Sequence, residues 1–421
     1  MTENKILFRS HRQVAFILAL IIAGEMVFSL PFHTARFFRP TMLEVFGFSN
    51  TQLGDIFATY GITAMLSYFF GGIIADRFPA RALMTVSLLA TAAGGLYMAS
   101  FPDVFQMALL YAFWGITTIL LFWAALISAT REWGGKHSQG VAFGILDGGR
   151  GLVAASFAAL AVALLRSYMP ADMATLTDIE RQQGLRMVIL LYSAATAVTA
   201  GLVWLVLPKT FDTNDELNRN PLKGLTRVLL RPFVWAIAGI IVCAYCSYKA
   251  LDNYSLYAVQ VLGMDEVQAA GFTAQANYLR PVAAILAGIV ADRLSAAKSI
   301  FILFLILCIA YISVAGMTLQ YQGSGFIIAN LLVSYFAVFA IRGIYFALLE
   351  ETQTPKNVTG TTVGLVSVIG YTPDVFFAPV AGRILDAAPG AAGHQHYFIF
   401  LASIAVTGML AAGWLLFLNR K

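Results

Sequence analysis

The hexapeptide GIIADR at Gly72–Arg77 recurs as GIVADR at Gly288–Arg293, in the second half of the 421-residue chain. Each copy lies at the C-terminal end of an apolar stretch of about 20 residues, which is the length of a helix that spans a membrane. One such motif arises easily by chance, whereas two copies at matching places do not. The repeat therefore indicates a duplicated unit built from membrane helices.

The composition excludes an ordinary soluble protein. Hydrophobic residues make up 59% of the chain and charged residues 12%, against about 25% charged residues in typical soluble domains. A chain with so few charges cannot cover its apolar surface against water, so that surface is expected to face lipid. The formal net charge of +5 is spread over loops and does not indicate a nucleic-acid partner.

The hydropathy pattern predicts an all-α polytopic membrane protein with twelve transmembrane helices in two six-helix bundles. A long polar stretch at 209–231 separates residues 1–208 from residues 232–421, and we expect it to be a cytoplasmic loop between the bundles. The predicted spans lie near 13–35, 52–74, 82–100, 104–129, 140–165, 186–208, 232–258, 268–291, 299–319, 325–348, 360–382 and 396–418.

The loop charges predict the orientation. Lysine and arginine concentrate in the loops on the side of the N-terminus, and such loops face the cytoplasm. An even number of spans then places both termini in the cytoplasm. No cleavable signal peptide is apparent, because the first apolar stretch is longer than a usual signal core and carries Glu25. We expect an integral protein of a bacterial inner membrane.

The repeated hexapeptide resembles the signature loop of the major facilitator superfamily, whose pattern is G-x-x-x-D-R-x-G-R-R. The resemblance implies the fold predicted above, transport by alternating access, and a loop that helps to hold one conformation of the cycle. A purely structural reading is that the same residues anchor the helices at the membrane surface. The residues that match are Gly72, Asp76, Arg77 and Arg81 in the first copy and Gly288, Asp292 and Arg293 in the second.

A second resemblance is to the organophosphate/phosphate antiporter branch of that superfamily. It is carried by Tyr248, Leu251 and Asp252 and by the GTTVG run 360–364 with Gly370–Tyr371. That branch uses one arginine from each half to bind phosphate. The corresponding positions in this chain hold His33 and Ser247, with Arg36 and Lys249 nearby, so the substrate of the branch is not carried over.

Charged residues inside the predicted spans are the candidates for function, because a charge at membrane depth costs about 2.5–3.5 kcal/mol on insertion scales. Asp147 with Arg150, and Lys249 with Asp252, are spaced i, i+3 on one helical face; each pair can be a ligand grip or a structural ion pair. Arg280 and Arg342 have no acidic residue close in sequence, so each can bind an anion or pair across helices. The predicted substrate-binding residues are Arg36, Arg150, Tyr248, Lys249, Asp252, Arg280, Arg342 and Tyr371.

Three carboxylates are candidates to carry a coupling proton: Glu25, Asp147 and Asp374. Glu25 stands alone in an apolar run, and a hydrogen-bonded structural role is the alternative. His33 follows eight residues later, which corresponds to about 12 Å along a helix. At the expected outer end of its span, His33 is more typical of an interfacial residue.

These residues favour a secondary transporter for a small hydrophilic organic anion, such as a sugar acid, a carboxylate or a phosphorylated metabolite. A proton-driven exporter of lipophilic compounds and a solute sensor without transport are the alternatives. No nucleotide-binding loop, metal-binding motif or catalytic triad stands out. We therefore expect no enzyme and no cofactor. The expected partners are a solute, an exchanged or co-transported ion and the lipid bilayer. We expect the protein to be a monomer.

Overall fold

The computed structural model describes residues 11–135, 139–209, 230–316, 324–351 and 359–419. Within these ranges the regular structure is entirely helical. The predicted cytoplasmic loop at 209–231 lies almost wholly outside the described residues.

Nine α-helices lie among the described residues of the first half. The chain between Met26 and Thr34 contains a π-helical segment, Ser29–His33, and a second π-helical segment, Ile116–Trp123, joins two further helices. The α-helices are α1 (His11–Met26), α2 (Thr34–Phe37), α3 (Arg39–Phe46), α4 (Asn50–Ala75), α5 (Ala80–Met98), α6 (Val104–Gly115), α7 (Ala124–Gly134), α8 (Gln139–Tyr168) and α9 (Asp178–Val206).

The second half also consists of α-helices, which short 3₁₀ turns interrupt at Leu251–Asn253 and Tyr345–Ala347. Its α-helices are α10 (Pro232–Ala250), α11 (Tyr254–Gln260), α12 (Glu266–Ala276), α13 (Leu279–Leu294), α14 (Ala296–Gly316), α15 (Ser324–Ile344), α16 (Leu348–Glu351), α17 (Thr359–Gly370), α18 (Pro373–Ala387) and α19 (Ala391–Leu418).

Among the described residues, ten helical stretches are long and apolar enough to cross a membrane. An eleventh is formed by His11–Met26 with Ser29–Phe37, which meet at a bend of 41°. The predicted eighth span, 268–291, is divided into α12 and α13 at Asn277–Tyr278, three residues before the helix-breaking Pro281. The prediction of an all-α membrane protein of about twelve helices is confirmed.

Large apolar side chains cover the outer faces of the helices. Phe105, Val198 and Leu205 are each more than 70% exposed, although a soluble monomer rarely leaves contiguous apolar surface open to water. Lipid is the solvent that makes such a surface favourable, because the interior of each helix satisfies its own backbone hydrogen bonds.

The helices form two compact units, which differ from the sequence halves in one respect. The first unit comprises Met1–Phe46 and Thr59–Asn214, and the second comprises Gly47–Ala58 and Asp215–Lys421. The first two turns of α4 therefore belong to the second unit, while the rest of that helix belongs to the first.

Glycines allow close packing in the first unit, where α1 packs on α8 and α9. A Cβ at Gly149 of α8 would lie 2.7–3.0 Å from the side chain of Ile21. A Cβ at Gly24 of α1 would lie 3.2 Å from the stem of Arg150. These two glycines let α1 and α8 approach closely enough for Arg150 to reach across to α1.

Within the second unit, the start of α4 packs backbone to backbone on α18. A Cβ at Gly54 would collide with the carbonyl oxygen of Ala378, and one at Gly382 with the carbonyl oxygen of Asn50. Asp386 caps α4 by accepting hydrogen bonds from the backbone amides of Asn50 (3.2 Å) and Thr51 (2.7 Å), which satisfies amides that the helix itself cannot.

We expect Gly54→Ala to lower stability and Gly72→Ala, in the same helix, to leave it nearly unchanged. The added methyl at Gly54 meets backbone that cannot rotate away, and overpacking of this kind costs about 1–3 kcal/mol. A Cβ at Gly72 has nothing within 4 Å. Thermal unfolding of the two purified variants in detergent measures the difference. Equal melting temperatures would contradict the packing described here.

Candidate functional site

A buried charged cluster lies in the first unit, which we call the glutamate cluster (Glu25, His33 and Arg150). The two carboxylate oxygens of Glu25 have different partners: Oε1 lies 3.0 Å from His33 Nε2, and Oε2 accepts a hydrogen bond of 3.0 Å from Arg150 Nε. The side chains of Glu25 and His33 are no more than 4% exposed, and that of Arg150 is 13% exposed. Three ionisable groups thus share one buried site.

The π-helical segment Ser29–His33 explains why Glu25 and His33 meet. In a straight helix their separation of eight residues corresponds to about 12 Å along the axis. The sequence therefore predicts no contact between Glu25 and His33. The 41° bend after α1 and the wider π turn bring the imidazole back to the carboxylate. His33 is therefore buried inside the unit, and the interpretation of it as an interfacial residue is wrong. Isolated π turns occur frequently at functional sites.

Aromatic rings enclose the glutamate cluster. The Arg150 guanidinium lies 5.7 Å from the ring centre of Phe28 and 5.9 Å from that of Trp123, and Trp123 ends the second π-helical segment. Such contacts stabilise a cation in a weakly solvated site. Asp147 lies three residues before Arg150 on α8 and is partly buried.

A second polar cluster lies in the second unit and centres on Lys249 of α10. The Lys249 ammonium is 3.7 Å from Asp252 Oδ2 and 3.3 Å from Asp374 Oδ1. The predicted i, i+3 pair of Lys249 with Asp252 is thus present, and Asp374 joins it from α18. Tyr245 donates to both oxygens of Asp374, at 3.1 and 3.0 Å. We call Tyr245, Tyr248, Lys249, Asp252, Arg342, Tyr345, Tyr371 and Asp374 the lysine–tyrosine cluster.

Arg342 of α15 joins this cluster through aromatic contacts. Its guanidinium carbon lies 3.7 Å from the ring centre of Tyr248 and 5.9 Å from that of Tyr245. Tyr371 packs edge-on against Tyr245 at 5.0 Å, and its hydroxyl is 3.5 Å from that of Tyr345. A guanidinium stacked on a ring presents its N–H donors around its edge, which suits a carboxylate or phosphate.

The start of α4 also reaches the lysine–tyrosine cluster. The ring of Phe57 lies beneath the Lys249 ammonium, 5.0 Å from nitrogen to ring centre. Asp55, two residues earlier, forms an exposed ion pair of 2.8 Å with Arg383. Nothing in the sequence around Phe57 signals this contact, because it depends on the packing of two segments that are distant in the chain.

Two further predicted ligand residues, Arg280 and Arg36, are also buried. Arg280 is buried on α13, a helix that packs on α15, which carries Arg342. Arg36 is buried on α2, one turn after His33. Among the described residues, no group of three or more His, Cys, Asp or Glu side chains could hold a metal ion.

Comparison with known proteins identifies the family. The family model for the Major Facilitator Superfamily matches residues 14–372. The chain belongs to this superfamily. It is 27% identical over 409 residues to the inner membrane protein YqcE of Escherichia coli, covering 95% of this chain and 93% of YqcE.

Two further similar proteins are informative. The chain is 28% identical over 276 residues to a Thermus thermophilus protein named "Probable nitrate/nitrite antiporter NarK1", covering 63% of this chain and 58% of that protein. The crystal structure of a point mutant of the nucleoside transporter NupG superimposes with a TM-score of 0.74 at 12% identity, covering 96% of this chain and 100% of that chain. Family and fold are those of secondary transporters, a class whose members are generally not enzymes.

The superfamily signature residues lie at helix ends and on the surface. Asp76 and Arg77 follow the end of α4, and Asp292 and Arg293 lie in the last turn of α13. All four are exposed, and among the described residues none of their side chains forms an ion pair. Nothing in the described part of the chain lies within 4 Å of a Cβ at Gly72 or Gly288, so neither glycine is needed there for close helix packing. Arg81 stacks on Trp204 of α9 at 4.1 Å.

We expect Arg150→Met to destabilise the protein by about 3–5 kcal/mol, because removing one partner leaves a buried charge uncompensated. The double variant Arg150→Met with Glu25→Gln should recover much of that loss. Denaturant unfolding of the wild type, both single variants and the double variant gives the coupling energy. Strictly additive effects would show that Glu25 and Arg150 do not depend on each other.

Proposed function

We propose that this chain is a secondary transporter that moves a small hydrophilic organic anion across a bacterial inner membrane by alternating access. The observation that carries the proposal is the stacking of Arg342 on Tyr248, in the same cluster as the buried Lys249. Arginine and lysine together supply the donors that bind carboxylates and phosphates. The family membership supports transport, and the description of YqcE as an inner membrane protein supports the location.

The lysine–tyrosine cluster is suited to a ligand that is both anionic and hydroxylated. Lys249 is shared by two carboxylates, so an incoming anion competes with Asp252 and Asp374 for the ammonium. The hydroxyls of Tyr245, Tyr345 and Tyr371 can donate to or accept from sugar-like hydroxyls. The "nitrate/nitrite" description of the Thermus relative is consistent with an anionic substrate.

The remaining site residues receive roles in the same proposal. Arg36, Arg150 and Arg280 are further candidates to contact the anion, and Glu25, Asp147 and Asp374 are candidates for the coupling proton. The signature residues bias the population of conformations during transport. In this proposal the two bundles that move during alternating access are residues 1–208 and 232–421. Both termini lie in the cytoplasm, and the transporter is a monomer.

A thermal-shift screen tests the substrate class, because a ligand that binds the native state raises its melting temperature. The purified protein is screened against organic anions, sugars and lipophilic cations. Stabilisation by one anion class supports the proposal and selects a substrate for uptake into proteoliposomes. Stabilisation by lipophilic cations alone favours the exporter, and binding without uptake favours the solute sensor; either result contradicts the proposal.

We expect Arg342→Gln to weaken binding of the stabilising anion by about ten- to hundredfold, since a hydrogen bond to a charged group contributes about 1.5–3 kcal/mol. Arg166→Gln is the matched control, because Arg166 is exposed on α8. Affinity is measured by titration calorimetry after expression and melting temperature have been compared. Unchanged affinity in Arg342→Gln and Arg280→Gln would refute the anion assignment.

We expect Glu25→Gln to abolish proton-driven accumulation of the anion while exchange of internal for external anion continues. Exchange needs only the alternation of the loaded protein, whereas accumulation needs the proton. Both rates are measured in proteoliposomes with and without a pH gradient. Loss of both activities, or of neither, would exclude Glu25 from the coupling site.

A further inference from the structure

Two buried histidines offer an internal comparison within this chain. His33 and His394 are 2% and 1% exposed. Each ring packs edge-on against aromatic rings: His33 lies 5.5 Å from Phe37, and His394 lies 5.2 Å from Tyr257. They differ in the partner of Nε2, which is the Glu25 carboxylate at 3.0 Å for His33 and the Gln260 amide oxygen at 2.9 Å for His394.

The difference in partner decides which histidine can hold a charge. An imidazolium buried beside a carboxylate forms a charge-assisted hydrogen bond, whereas one buried beside an amide has only a dipole to offset its lost hydration. On chemical grounds His33 is therefore suited to accept a proton, and His394 is suited to remain neutral.

Arg150 determines where in the glutamate cluster the proton goes. A proton on Glu25 would leave the Arg150 guanidinium buried without its counterion, which is strongly unfavourable. A proton on His33 leaves the ion pair intact and adds a second cation to the same carboxylate. Since Nε2 already faces Glu25, the proton adds at Nδ1, and the cluster changes from neutral to a charge of +1.

Four helices that contact the segment Ser29–His33 carry charged or titratable groups. Glu25 lies on α1, Arg150 and Asp147 lie on α8, and Tyr192 of α9 meets the imidazole ring at 6.0 Å. Arg36 follows His33 one turn later on α2. The segment Ser29–His33 also touches α5, where Gly95 packs against Leu30.

We propose that the glutamate cluster takes up its proton on His33 while Glu25 stays ionised between Arg150 and His33, so that Glu25 takes part in coupling as the carboxylate that holds this proton. Use of this proton in coupling rests on the proposed function. Proton uptake itself is a property of the cluster and can be measured without any solute.

The test is a ¹⁵N NMR titration of histidine-labelled protein in lipid nanodiscs. The chain has five histidines, and the spectra of His33→Gln and His394→Gln assign the two buried ones. We expect the His33 nitrogens to change from the neutral to the doubly protonated pattern between about pH 8 and pH 5, the range over which histidine titrates. We expect His394 to keep the neutral pattern throughout.

A potentiometric titration provides a second measurement on the same proteins. The wild type should bind one more proton than His33→Gln over this pH range and no more than His394→Gln. A neutral His33 at every pH, or one that is permanently charged, would overturn the proposal. An equal proton count for wild type and His33→Gln would overturn it as well.

The Glu25→Asp variant keeps the carboxylate but shortens the side chain, so it tests the contact if Glu25→Gln fails to fold. Loss of His33 titration in either variant supports the proposal, and unchanged titration in both contradicts it. Failure of the transport proposal would appear differently. No anion would then stabilise or cross the membrane, although His33 would still titrate.

Discussion

The requirement that a buried charge have a partner organises this protein. In the absence of water, a lone carboxylate or ammonium costs several kcal/mol, yet the chain buries Glu25, His33, Lys249, Asp252 and Arg280. The helix packing supplies partners for these buried charges in two ways. One carboxylate is shared by two cationic or potentially cationic side chains in the first unit, and one ammonium is shared by two carboxylates in the second. Each cluster therefore contains one charged group that two neighbouring side chains share.

The sequence was sufficient for those features that depend on local spacing. Span number, helix type and the Lys249–Asp252 pair follow from hydropathy and from the i, i+3 geometry of a regular helix. The break in the predicted eighth span lies close to Pro281, a residue type that interrupts helices. The family resemblance rested on residues 72–77 and 288–293 and holds over most of the chain.

The sequence was insufficient where backbone departs from the regular α-helix or where distant segments meet. The contact between Glu25 and His33 depends on a π turn and a 41° bend. Pro31 lies inside this π turn and signals a kink, but proline alone does not specify a π turn or the residues that it brings together. Arg150 pairs with a residue 125 positions earlier, which spacing cannot reveal. A hint was available in Gly24 and Gly149, since small residues on two helices mark a place of close approach. The roles of Phe57 and Tyr245 depend on the same kind of long-range packing.

The sharing of α4 between the two units affects how the protein can be assembled. If the chain were divided at the central loop into residues 1–208 and 232–421, the amides of Asn50 and Thr51 would be on one fragment and Asp386, their acceptor, on the other. Phe57 would likewise be parted from Lys249. Each fragment would be a complete sequence repeat but an incomplete packing unit. The compact unit thus crosses the boundary between the two sequence halves, so a substitution at the start of α4 has to be compatible with α18 in the other half.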